Sequence, residues 1–230
     1  MYIIARAHYP LPLADAPYVP RLVAVFDSRL RPLIDPPLNR LAEALGRLGV
    51  SADGVTFAGF GCGLFAAAFI VVGWFWLALA GVLLNRLADG LDGPIARNTH
   101  ASDLGGYYDI VFDFFFYGAV PLAFALHDPA ANAVAAAVLL ASFYANGATF
   151  LAFAALAQKT GRTTEVQGKK AIYYFAGIAE GAETIAVFVV FCIFPGAFAP
   201  IAIGFALICF VSAGVRVLMV RDTLKDTPSP

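Results

Sequence analysis

The sequence predicts an all-α, polytopic membrane protein with six transmembrane helices preceded by an amphipathic surface helix. Three observations carry that prediction. Apolar residues make up 60% of the 230, and the 21 glycines raise the share to about 69%, against roughly 45–50% in a soluble domain on the same definition. A chain this short cannot hide so much apolar surface from water, so lipid is the natural solvent for the surplus. Apolar runs of spanning length recur from Gly54 onward, and Lys and Arg avoid alternate connections between them. Together these exclude a soluble enzyme and a disordered chain. With 15 Lys+Arg against 16 Asp+Glu there is no basic excess for binding nucleic acid. Cys62, Cys192 and Cys209 lie far apart in apolar runs and read as small buried side chains.

Residues 1–37 form a proline-rich segment holding Pro10, Pro12, Pro17, Pro20, Pro32, Pro36 and Pro37. That density predicts no continuous helix, and no cleavable secretory signal is expected. Residues 38–53 follow as a juxtamembrane helix and link. Leu38, Leu41, Leu45 and Leu48 make one stripe at helical spacing, opposite Asn39, Arg40, Glu43 and Arg47, as in a helix lying in the membrane surface. Gly54 to Asn85 is a run of 32 uncharged residues, too long for one span of about 20 residues. Gly73 before Trp74 and Trp76 marks a tight turn at an interface. The spans are therefore placed at 54–73, 74–92, 104–126, 129–157, 170–194 and 198–219. They form a catalytic domain over 54–220, followed by a tail at 221–230. With six spans, every connection carrying Lys or Arg lies on one face, which predicts that both termini are cytoplasmic in the inner membrane.

The third span is unusual. Phe114 to Leu126 rises about 20 Å, short of the roughly 30 Å hydrocarbon layer, so the helix must begin near Leu104 and draw Asp109 and Asp113 below the interface. Each carboxylate there costs on the order of 2–3 kcal/mol, which a purely structural helix would not repay. Asp109 and Asp113 are i and i+4; Asp89 and Asp92, at the end of the second span, are i and i+3. Four converging carboxylates repel unless a cation sits among them, and all-oxygen ligands suit Mg²⁺, Mn²⁺ or Ca²⁺. Two ions would balance four carboxylates, the usual device for displacement at phosphate. The sequence predicts a connection from Gly93 to Asp103 whose small residues admit a ligand to the backbone, with Arg97 as a partner for phosphate.

Asp89-Gly-Leu-Asp92-Gly93-Pro-Ile-Ala96-Arg97, followed by Gly105-Gly-Tyr-Tyr-Asp109-Ile-Val-Phe-Asp113, resembles the signature of the CDP-alcohol phosphotransferase family, D-x2-D-G-x2-A-R, a spacer, then G-x3-D-x3-D. All eight fixed residues are present; the spacer before Gly105 is seven residues, where eight is commoner. The resemblance implies an integral membrane enzyme of phospholipid synthesis, with its active site on the cytoplasmic side. It would join a CDP-linked alcohol, usually CDP-diacylglycerol, to a small alcohol acceptor and release CMP. It further implies that Asp89, Asp92 and Asp109 hold Mg²⁺ or Mn²⁺, with Asp113 contributing or acting as base. Gly93, Ala96, Arg97 and Gly105 would contact the cytidine diphosphate moiety. Ser51-Ala-Asp53-Gly-Val-Thr56 faintly resembles the family's segment before the first span.

Glu180 and Glu183 fall within the fifth span. They could contact a polar acceptor, with Lys169 and Lys170 near by, or pair with Lys169, Lys170 or Arg216 to fix the bundle. Asn146 reads as an interhelical hydrogen-bonding group. Gly59 and Gly63 form a GxxxG expected to pack within the chain, with a homodimer as the alternative. Two other functions fit sunken carboxylates. A cation- or proton-coupled transporter would use them to bind its ion, but no internal repeat is evident. An aspartate-rich prenyltransferase would need a second aspartate motif downstream, and none follows Asp113.

Overall fold

The computed structural model describes residues 25–99, 101–159 and 181–225, and these are helical with no strand among them. Seven α-helices occur there: α1 Val25–Arg47, α2 Ala52–Val71, α3 Phe75–Asn98, α4 Asp103–His127, α5 Pro129–Lys159, α6 Gly181–Ile193 and α7 Phe198–Lys225. Four stretches are long and apolar enough to cross a membrane, namely Ala52–Val71, Asp103–His127, Pro129–Leu156 and Pro195–Arg221. Helix α3 has the length, but Arg86, Asp89, Asp92 and Arg97 charge its second half.

Local chemistry explains the boundaries. Ser51 caps α2 by accepting from Gly54 N–H at 3.1 Å, and Ser102 caps α4 by accepting from Gly105 N–H at 3.0 Å. Asp128 accepts from Ala131 N–H at 3.1 Å ahead of Pro129, a residue suited to a first helical position. Helix α2 ends as the sequence predicts. Gly73 takes a positive φ of 78°, Gly73 N–H bonds to Ile70 O at 3.0 Å, and Trp74 N–H reaches back to Phe69 O at 2.8 Å. This is the paired bonding of a Schellman turn. Gly49, at φ 81°, closes α1 in the same way.

Two expectations need correction. Helix α1 begins at Val25 and runs through Pro32, Pro36 and Pro37, where the sequence predicts a helix only from Leu38. Proline's φ is already helical, so each one removes a hydrogen bond without changing the chain direction completely. The downstream half of α1 is anchored, because Leu38, Ala42 and Leu45 pack with Leu91 and Ile95 of α3 and Ala52 and Val55 of α2. Leu41 and Leu48, from the predicted apolar stripe, stay exposed. Likewise α3 does not stop at Asp92. It continues through Gly93 and Pro94 to Asn98, leaving a short link to α4 instead of an eleven-residue connection. Burial of Leu91 and Ile95 holds this last part against the bond lost at Pro94, and Thr99 Oγ1 closes it on Ile95 O at 2.8 Å.

The chain divides into two compact units. The first comprises Met1–Phe65 and Gly81–Phe116. Here Gly59 lets α2 lie against α3: a Cβ at Gly59 would stand 2.6 Å from that of Ala88, and Asn85 Nδ2 donates to Gly59 O at 3.0 Å. Gly63 faces the Phe116 ring in the same manner. The GxxxG is thus used in packing within the chain. Phe57, Phe60, Tyr108 and Phe112 join α2 to α4 through ring contacts, with Phe60 and Phe112 stacked at 4.3 Å.

The second unit comprises Ala66–Ala80 and Tyr117–Pro230. Phe124 stacks on Phe198 at 4.4 Å and meets Phe191 edge-on, which ties α4, α6 and α7 together. Arg216 of α7, only 9% exposed, donates from Nη1 to Asn146 O, Asn146 Oδ1 and Thr149 Oγ1 of α5 at 3.0, 2.9 and 3.1 Å. Asn146 is therefore an interhelical hydrogen-bonding group. Cys192 and Cys209 are buried free thiols and Cys62 is partly buried, in line with the sequence.

Candidate functional site

The first unit holds a pocket lined by Thr56, Gly59 and Phe60 of α2, Asn85, Asp89 and Asp92 of α3, and Asp109, Phe112 and Asp113 of α4. All four aspartates picked out by spacing reach it. Asp89, Gly93 and Arg97 are successive i, i+4 neighbours on α3, and Asp92 and Ala96 lie beside them on the same face. Gly105, Asp109 and Asp113 repeat that step on α4. The motif is thus a pair of helical stripes. Its first half is helical through Arg97, where the sequence predicts a connection from Gly93 onward.

Within the pocket the aspartates are not equivalent. Carboxylate oxygens of Asp89, Asp109 and Asp113 all lie within 4.8 Å of one another. Asp92, 6% exposed, is held differently: Thr56 Oγ1 donates to its Oδ2 at 2.7 Å. At 4.8 Å a pair of like charges repels by about 3 kcal/mol at an effective dielectric constant of 20. Arg86 of α3 pairs with Asp89 and sets a guanidinium beside the group. Asp89, Asp92, Asp109 and Asp113 bring four carboxyl groups to one pocket. Three converging oxygen donors fit a hard divalent cation.

Gly93, Ala96, Arg97 and Gly105, the residues expected to meet a cytidine diphosphate, are not among those lining this pocket, although they continue the same faces of α3 and α4. Arg97 is exposed in the last turn of α3 and folds back toward Gly93, where a Cβ would lie 3.5 Å from its Nη1. Ala96 is half-buried beside it. Gly105 stands at the start of α4 against α2, where a Cβ would come 2.8 Å from Asp53 Oδ1. A side chain at position 105 would have to displace the Asp53 carboxylate.

Sequence reasoning passed over Thr56, Asn85 and Arg86. Thr56 lay in the weakly matching Ser51–Thr56 stretch, and Asn85 and Arg86 precede Asp89 by four and three residues, the offsets of helical neighbours. Among the predicted acceptor residues, Glu183 belongs to the second unit, in the first described turn of α6, and its Oε2 is buried without a hydrogen-bond partner among the described residues. Glu180, Lys169 and Lys170 lie outside the described residues.

The comparisons agree with the motif. Residues 50–213 match the family of CDP-alcohol phosphatidyltransferases. The chain is 43% identical over 202 residues to inner membrane protein YnjF of Escherichia coli (strain K12), a match covering 88% of this chain and 98% of that protein. It is also 35% identical over 92 residues to archaetidylinositol phosphate synthase of Pyrococcus horikoshii, covering 37% of this chain and 46% of that enzyme. The transporter alternative finds no support in any of these. Membership extends across both motif stripes and most of the helices, and the chain belongs to the CDP-alcohol phosphatidyltransferase family, integral membrane transferases of phospholipid biosynthesis that use a divalent metal, a CDP-alcohol donor and an alcohol acceptor.

Proposed function

We propose that this chain transfers a phosphatidyl group from CDP-diacylglycerol to a small alcohol and releases CMP. The observation that carries the proposal is the convergence of Asp89, Asp109 and Asp113, with Asp92 on the same pocket. In this reading Asp89, Asp92, Asp109 and Asp113 hold two Mg²⁺ or Mn²⁺ ions. When bound, these ions neutralise charge on the diphosphate and on departing CMP. Arg97 offers a fork of donors to the donor's phosphates, and Gly93, Ala96 and Gly105 admit the nucleotide close to the backbone. Asp113 accepts the proton of the acceptor hydroxyl as its oxygen bonds to phosphorus and the bond to CMP breaks. Asp113 suits this role because it stands one turn, about 6 Å, beyond Asp109 along α4. Glu180, Glu183, Lys169 and Lys170 are the proposed contacts for a polar acceptor, and Glu183 Oε2, without a hydrogen-bond partner among the described residues, can accept from a hydroxyl.

The experiment is an acceptor panel. Purified protein with CDP-diacylglycerol and Mg²⁺ should release CMP in proportion to one added alcohol. CMP release indifferent to every alcohol would leave only hydrolysis and would overturn the transfer reading.

We further propose six spans, α2 through α7, with both termini and the site on the cytoplasmic side and α1 along the membrane surface. The support is the distribution of Lys and Arg, which falls on one face under this topology. Reporter fusions at residues 127 and 196 should then signal the outer side, and fusions at residues 100 and 163 the inner side. An outer signal at residue 163 would contradict six spans.

A further inference from the structure

Asp89 and Asp92 are neighbours on one face of α3, yet only Asp89 joins the close group with Asp109 and Asp113. What distinguishes Asp92 is a contact from another helix. Thr56 Oγ1, part-buried in the first turns of α2, donates to Asp92 Oδ2 at 2.7 Å. The donor itself is well held. Three residues earlier on α2, Asp53 sits against the backbone of Gly105 at the start of α4, and Ser51 caps the helix. Downstream, Gly59 and Gly63 seat α2 closely on Ala88 and Phe116. A hydroxyl placed on so fixed a helix turn fixes what it binds.

We infer that Thr56 is a positioning residue: its hydroxyl holds one oxygen of Asp92 toward α2, so that the carboxylate faces the pocket as a donor arm set apart from the other three aspartates. Val in place of Thr keeps the shape but removes the donor, and leaves a nearly buried carboxylate without its partner from α2. Partners behind a ligating carboxylate commonly matter by 10- to 100-fold in metal affinity. Ser retains the hydroxyl and should retain the function.

This inference rests on the metal-dependent reading above, and its test is separable from that reading. Mn²⁺ binding to the full chain in detergent is measured without any donor, from the electron paramagnetic resonance signal of free Mn²⁺. Thr56→Val should weaken binding by about 10-fold, and Thr56→Ser should stay within about threefold of the parent. In the double variant with Asp92→Asn, adding Thr56→Val should cost nothing further, because the hydroxyl's other bond, to Ala52 O at 3.1 Å, stays within the backbone of α2. Additive losses would mean that Thr56 acts elsewhere and would overturn the inference. So would parental affinity in Thr56→Val, or equal weakness in Thr56→Ser. Should Thr56→Val not yield monodisperse protein, Thr56→Cys, with only a weak donor, takes its place under the same expectations. A parent chain that binds Mn²⁺ but releases no CMP would strike the proposed reaction and leave the role of Thr56 standing; a parent that binds no Mn²⁺ would overturn both.

Discussion

Asp109→Asn is expected to abolish measurable transfer, lowering CMP release on the order of 10³-fold, the upper range for losing one electrostatic contact to a transition state. The reason lies in its place. Asp109 is 8% exposed, sits between Gly105 and Asp113 on the inward stripe of α4, and shares the close oxygen group with both Asp89 and Asp113. Asparagine keeps the size and one oxygen but removes a charge from the set that must balance a divalent ion. Activity and Mn²⁺ affinity should therefore fall together, as measured by CMP release and by direct metal titration. A variant that binds Mn²⁺ as the parent does and yet is inactive would show that Asp109 serves the reaction without holding metal.

Asp113→Asn should behave differently. Turnover is expected to fall by roughly 10²-fold or more, the range for loss of a general base. Binding of CDP-diacylglycerol in the presence of metal should remain nearly intact. The amide can still offer an oxygen to the group formed with Asp89 and Asp109, whereas it cannot take a proton from an attacking hydroxyl. Parallel measurement of kcat and of donor affinity separates the two roles. Loss of donor and metal binding as severe as in Asp109→Asn would make Asp113 a ligand first and remove it as the base.

Much of this site was legible as spacing. Asp89, Asp92, Asp109 and Asp113 were visible because carboxylates are costly in a membrane and because their offsets put each pair on one helix face. The turn at Gly73 was visible because a glycine, a pair of tryptophans and an overlong apolar run coincide there, and its φ of 78° bears it out. Two helix bounds were misread. Read locally, Pro36, Pro37 and Pro94 end helices; in the fold, burial of Leu38, Ala42, Leu91 and Ile95 in one cluster carries both α1 and α3 across them. That packing joins residues some fifty positions apart, and no local rule contains it. Thr56 was hidden for the same reason, because its partner Asp92 lies 36 residues away. Nothing in a lone threonine near a helix start announces a bond to a carboxylate on the next helix. The four aspartates could be found by chemistry. Their inequivalence needed coordinates.

The central claim is metal-dependent transfer of a phosphatidyl group within the pocket of Asp89, Asp92, Asp109 and Asp113. The most direct test follows phosphorus by ³¹P nuclear magnetic resonance in a reconstituted sample of the full chain with CDP-diacylglycerol and the acceptor found in the alcohol panel. With Mg²⁺ present, CMP and a new lipid phosphodiester should appear in equal amounts, and both should cease on chelation and resume when Mg²⁺ is restored. Equal accumulation of both products in excess chelator would contradict the account, as would CMP appearing with phosphatidic acid in place of the phosphodiester.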